Sequence, residues 1–296
     1  MAQPQSIVAS SWAFWTRARR VDRVGYIVGA LLLTSGLIHL AILVIGGGSW
    51  QGPVSWRKPA SFGLSFGLTL ITIVWVASFL RLSGWARRLL LGAFTAACAL
   101  ETALVTLQAW RGVPSHFNLE TTFDALVART LAGGGIALVA IIIVLAFVSF
   151  RANSAVPISL RIAIRIGFVA LVGAVAVGAL MIAKGMMLVF AGDPQAAYAT
   201  GGAMKPTHAV AMHAILVLPM LAWVLSFANW SERRRIGAVL AASAGYIAIA
   251  SVIALANVAG IDSGQMSAAM IALFAVGVVL LLGTGALAVF TPRRQP

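Results

Sequence analysis

Charge is the scarcest property of this chain. Asp, Glu, Lys and Arg make up 9% of its 296 residues and apolar types 61%, where an ordinary soluble domain holds about 25% and roughly 45–50%. That balance excludes a soluble globular fold. Cys98 is the one cysteine, which excludes an internal disulfide and any C-x-x-C metal or redox motif. Also missing are the dinucleotide-binding glycine fingerprint, the P-loop, H-E-x-x-H and G-x-S-x-G. Acidic residues number 7 against 21 basic ones, for a net charge of +14. On a soluble protein this surplus would point to nucleic acid. Here the basic residues cluster between long apolar runs and mark topology, so no nucleic acid partner is expected.

What the chain does have is hydrophobic length. A membrane-crossing helix needs about 20 apolar residues, because the hydrocarbon is roughly 30 Å thick and each residue rises about 1.5 Å. Eight segments qualify, at 25–46, 60–80, 89–110, 125–150, 167–190, 208–228, 237–258 and 267–290. The expected fold is all-α: a polytopic protein with eight transmembrane helices and a single membrane domain over 1–296. Residues 1–24 form a cytoplasmic segment, 25–290 the bundle and 291–296 a cytoplasmic tail. The first apolar run follows Arg17 to Arg23, but it is too long for a signal peptide and lacks a small-residue cleavage site, so it reads as a retained helix. Ile7 to Trp15 is expected to lie flat in the interface.

Orientation follows from the basic residues. One set of alternate connections holds fifteen of them: Arg17, Arg19, Arg20, Arg23, Arg81, Arg87, Arg88, Arg151, Arg161, Arg165, Arg233 to Arg235, Arg293 and Arg294. The other set holds Arg57, Lys58, Arg111 and Lys205. The positive-inside rule then places both termini in the cytoplasm. Lys58-Pro59 opens the second segment and Lys205-Pro206 the sixth, where proline suits a first helical turn. Four spans per half permit a parallel four-plus-four duplication.

Ionisable groups within spans are expensive and are functional candidates by default. His39, Glu101, Arg129, Lys184, His208 and His213 all fall in the outer halves of their segments, and His116 lies in an outer loop. Scattered structural polar groups would have no reason to prefer one leaflet, so this points to a shared outward-facing cavity. Four helices begin on that side, and with Arg57, Lys58, Arg111 and Lys205 they favour an anionic group there. Glu101 reads either as a buried ion pair with Arg129 or Lys184, or as a proton carrier or metal ligand. His208 and His213 are five apart, about 140° around a helix, which argues against one ion held by both. Asp124, three residues after Thr121, has capping spacing, and Asp262 with Ser263 are expected to cap the last helix.

Trp56-Arg57-Lys58-Pro59, the loop Arg111-Gly112-Val113-Pro114-Ser115-His116-Phe117-Asn118 and the pair His208 and His213 resemble segments shared by uncharacterised bacterial multi-pass membrane proteins. That resemblance implies the bacterial inner membrane and brings no established activity. The eight-span plan is similar to haem A synthase in architecture alone. Ser35 stands where an E-x-x-x-H pattern would place glutamate before His39, and the paired loop cysteine is absent, so no activity is carried over.

Two imidazoles at equal depth, His39 and His213, suggest axial ligands to haem b, its propionates met by Arg57, Lys58, Arg111 or Arg129. A transition metal held by His39, His116, His208, His213 and Glu101 is the neighbouring reading. The functional expectation is therefore a membrane redox or metal-dependent protein, an oxidoreductase if an enzyme, acting on a quinone or lipid with Glu101, His116 and Lys184 as catalytic candidates. A proton-coupled or anion transporter, or a non-catalytic membrane subunit, are the alternatives.

Overall fold

The computed structural model describes residues 6–50, 52–199 and 204–291, and every regular element among them is helical. Eight helices are long and apolar enough to cross a membrane: α2 (Arg20–Ile45), α3 (Arg57–Ala77), α4 (Gly84–Trp110), α5 (Thr122–Ser149), α6 (Ile158–Phe190), α8 (Lys205–Leu225), α9 (Glu232–Ala259) and α10 (Ala268–Phe290). Two short ones accompany them, α1 (Ile7–Thr16) and α7 (Pro194–Ala199). The all-α, eight-span expectation stands.

Helix starts are set by side-chain caps. Ser83, Thr121, Ser231 and Ser267 each accept a hydrogen bond from the amide three residues on, which satisfies one of the orphan donors of the first turn. Thr121 with Asp124 is the cap expected. At α10 the cap is Ser267, whereas Asp262 and Ser263 belong to a separate 3-10 turn, Ser263–Gln265. The arginine clusters all lie at one end of the bundle, here the arginine-rich end. Arg293 and Arg294, counted above with them, and Gln51 fall outside the described residues.

The chain folds as two four-helix halves, α2 to α5 and α6 with α8 to α10. In each half the first helix packs on the second and third, the second on the third and the third on the fourth. The register shows in the sequence as well. Trp75-Val76-Ala77-Ser78-Phe79 closes α3 and Trp223-Val224-Leu225-Ser226-Phe227 closes α8, 148 positions later. Ser78 and Ser226 each donate to the carbonyl of their tryptophan at 2.6 Å. At the same spacing, buried Arg87, Leu91 and Thr95 of α4 match buried Arg235, Val239 and Ser243 of α9. Gly29 meets Gly67 on α3 much as Gly167 meets Ile215 on α8, and Gly67 and Ile215 are again 148 apart. Each half therefore uses small residues to bring its first two helices close.

Because four spans return the chain to its starting side, the halves run parallel. Equivalent residues touch where they straddle the repeat: the Trp75 and Trp223 rings stand 6.1 Å apart, edge to face. Phe14 of α1 closes on both, at 6.1 and 5.9 Å, and also on Phe79 at 5.7 Å. Thus α1 docks on the arginine-rich end through Phe14, with Ile7 also packed on the core.

The seam between α3 and α8 is closely packed at this end and less buried at the other. Thr72 to Ala77 of α3 are all buried, and the buried residues of α8 run from Ala214 to Leu225. Before Ala214 nothing in α8 is buried, although α3, α6, α9 and α10 flank that helix. The first part of α8 is thus less closely packed than the rest of it.

Candidate functional site

Three cations stand at the less buried end of the seam. Arg57 and Lys205 occupy equivalent positions, 148 apart, each 18 residues before its seam tryptophan. Eighteen residues are five helical turns, so each cation shares a helix face with its tryptophan and stands about 27 Å from it. Lys58 is half-buried and lies within electrostatic reach of both Arg57 and Lys205. Arg57 is held from the loop before α3, its Nε donating to the Trp50 carbonyl at 2.8 Å while its guanidinium lies over the Trp50 ring. The Ser55 hydroxyl closes that loop by donating to the Ser49 carbonyl at 2.6 Å and accepting from the Arg57 amide at 3.2 Å. Among the described residues none of these three cations has a carboxylate partner.

His116 comes from the loop between α4 and α5. Its ring meets Phe62 of α3 at 5.7 Å, and its Nδ1 lies 3.0 Å from the Ser115 hydroxyl. Burial first, and then the Lys58 ammonium, drive its pKa down to about 3, so the imidazole is neutral. Phe117 beside it is the one described non-glycine residue with positive φ, at 63°. Its ring fills the space a Cβ at Gly185 of α6 would need, so the loop of the first half reaches the second. Asn118 is fully buried, and its Nδ2 has no hydrogen-bond partner among the described residues. A buried unsatisfied donor is costly and rare. Phe117 and Asn118 were named above only within a motif. Their spacing carries no signal of this role.

His39 is not free to ligate. Its Nδ1 stands 2.7 Å from the Ser35 carbonyl and must carry the proton, and its Nε2 accepts from the Trp110 indole at 3.1 Å. The ring also stacks on Trp56 at 5.9 Å, while Trp56 meets Trp110 edge to face at 4.9 Å. His39 thus latches the loop before α3 to the end of α4. His208 and His213 turn to different backbone carbonyls, Ala174 at 2.7 Å and Ala209 at 2.6 Å. The facing pair of His39 and His213 is not assembled. Among the described residues no three His, Cys, Asp or Glu side chains gather as a metal site.

The remaining candidates are dispersed. Arg111 is taken by Asp124 at 2.5 Å and by Gln108, which itself donates to Asp124 at 2.8 Å. Arg129 and Lys184 are exposed on the outside of the bundle, so the ion pair expected for Glu101 does not form. Glu101 is 4% exposed, and its Oε1 has no hydrogen-bond partner among the described residues. Its carboxyl occupies the space left by the absent side chain of Gly134 on α5. Gly133, Gly135, Gly283 and Gly285 have nothing close to their missing Cβ, so they make no close helix contact.

The chain matches no protein-family model, no curated protein and no solved structure.

Proposed function

We propose that the protein is a proton-coupled membrane carrier of anions, oriented with its arginine-rich end and both termini in the cytoplasm of a bacterial inner membrane. The observation that carries this reading is the group of Arg57, Lys58 and Lys205 at the less buried end of the repeat seam, without a carboxylate among the described residues. Clustered cations in a partly dehydrated crevice need a counter-charge. The N-termini of α3 and α8 add partial positive charge at the same place. Neutral His116, within reach of the Lys58 charge, adds an N–H donor near it. The closely packed end, sealed by Trp75, Trp223 and Phe14, suits an outward-facing state. Glu101, buried with an orphan oxygen, is the proton carrier in this reading.

Flux into proteoliposomes tests it, with inorganic phosphate, sulfate and small carboxylates as probes. Saturable uptake of one of them should fall at least about tenfold in Arg57→Gln/Lys205→Gln, the loss of two charged hydrogen bonds. Glu101→Gln should keep anion binding and lose the acceleration by a pH gradient. Absence of uptake for every probe, together with no anion-dependent rise in thermal stability, would overturn the proposal.

A second reading, a haem b or transition-metal redox site acting on a quinone or lipid, draws on His116, His208 and His213. The Nε2 atoms of these three carry no hydrogen bond among the described residues. An absorption spectrum with metal analysis of the purified protein distinguishes it: a Soret band or stoichiometric metal favours it, and neither removes it.

A further inference from the structure

At the arginine-rich end, a recess with room for about one water molecule lies where the end of α3, the end of α5 and the first turns of α6 meet. We propose that the rim of this recess is a phosphate-headgroup site, held by Arg151 and Arg161 with Arg81 at its side. The inference is independent of the carrier reading.

The walls are preformed. Asn153 Nδ2 donates to the Phe79 carbonyl at 2.9 Å, and Arg81 donates to the Ala152 carbonyl at 3.2 Å, so the two connections are tied to each other. Arg165, one turn beyond Arg161, donates from Nε to the Ser149 carbonyl and from Nη2 to the Phe150 carbonyl, both at 3.2 Å. Arg81 and Arg165 therefore spend part of their guanidinium on the carbonyls that end the helices. The side chains of Arg151 and Arg161 have no hydrogen-bond or ion-pair partner among the described residues, and both line the recess.

No carboxylate of this chain is left to neutralise them. The sequence places two acids at this end, Asp22 and Glu232. Asp22 accepts from Arg87 at 2.8 Å and from the Arg19 amide at 3.1 Å. Glu232 accepts from the Ser159 amide at 2.8 Å and pairs with Arg235 at 3.5 Å. Arg151 is exposed and Arg161 half-buried, so both guanidinium groups are free to pair with an anion from outside. Guanidinium groups match the oxygens of a phosphate in paired hydrogen bonds, and a basic pocket between helix ends lies at the depth of lipid headgroups. Ile164 and Val148 supply apolar wall beside the arginines, as an amphiphile requires.

The recess also breaks the internal repeat. The position equivalent to Arg81 in the second half is Asn229, 148 residues on. Arg81, Arg151 and Arg161 thus meet at the junction of the two halves, where a bound headgroup would bridge them.

The test follows the thermal unfolding of detergent-purified protein during titration with phosphatidylglycerol, phosphatidylcholine or inorganic phosphate. Phosphatidylglycerol should raise the midpoint where phosphatidylcholine does not, and the half-effective concentration should rise about thirtyfold in Arg151→Gln/Arg161→Gln. A response to inorganic phosphate that is lost in the same variant supports the site and identifies the free anion as a ligand. Arg17→Gln/Arg88→Gln, which alters two exposed arginines of the same end outside the recess, should titrate as the unaltered protein does. Equal loss in both double variants would reduce the effect to surface charge and overturn the site, as would an unchanged response in Arg151→Gln/Arg161→Gln.

Discussion

The carboxyl of Glu101 sits in an apolar seam, and the missing side chain of Gly134 is what makes room for it. A methyl group there would fall on the carboxyl oxygen. Gly134→Ala should therefore push the carboxyl aside, and because the gain in helix propensity, about 1 kcal/mol, offsets that cost, the unfolding midpoint should change little while Glu101 loses its place in the seam. Glu101→Leu should be neutral or stabilising, because Oε1 has no partner and the carboxyl's interaction is with the Gly135 backbone, which lies inside α5. A clear loss of stability in Glu101→Leu would mean that the carboxyl has a further partner. His116 makes a second prediction at this scale. Its folded pKa, about 3, lies below the ordinary value of 6.5, so between those values the unfolded chain binds a proton that the folded one refuses. Stability is then complete above about pH 6.5 and declines as pH falls toward 3. The decline should shrink in His116→Gln, measured as unfolding midpoint against pH. The sequence correctly marked Glu101 and His39 as polar groups within spans. It could not say which way Arg129 and Lys184 point, because α5 and α6 are apolar on nearly every face and their periodicity carries no direction. The partners of His39, Trp56 and Trp110, come from elements distant in the chain, where spacing has no reach.

Helix lengths show a consistent departure from the hydropathy reading. At the arginine-rich end α2, α4, α6 and α9 begin at Arg20, Gly84, Ile158 and Glu232, five to nine residues before the apolar segments do. Arginine is a good helix former and reaches back to water along its stem, so a helix continues through its own charged end while an apolar window stops. At the opposite end the limits differ by three residues at most. The aromatic seal is the other element-scale feature. If α1 closes the seam through Phe14, a cysteine placed at Phe227, whose ring lies 5.1 Å from that of Trp223, should be shielded. In a Cys98→Ala background, Phe227→Cys should react slowly with a membrane-impermeant thiol reagent applied at the arginine-rich end, and several-fold faster once Phe14→Ala is added. Equal rates would show that α1 covers nothing. The repeated W-V-x-S-F segment was legible in the sequence throughout. Lys58-Pro59 and Lys205-Pro206 are 147 apart and so one residue out of the register that the tryptophans set.

At the scale of the molecule, the duplication and the less buried end of the seam make one joint prediction. Equivalent positions on α3 and α8 should behave alike, since the same seam runs between them. Leu64 and Met212 are equivalents, 148 apart, in the half-exposed part of their helices. Leu70 and Leu218 are equivalents in the closed part, at 0% and 1% exposure. With Cys98 replaced by Ala, Leu64→Cys and Met212→Cys should both react with a charged thiol reagent added from the histidine-bearing side, and Leu70→Cys and Leu218→Cys should not. A negatively charged reagent should react faster than a positive one of the same size, because Arg57, Lys58 and Lys205 stand at the entrance, and that preference should weaken as salt rises. Reaction at the deeper pair would mean that the seam is open throughout. Reaction at one member of the shallow pair alone would mean that the two halves, alike in sequence register, have parted in shape.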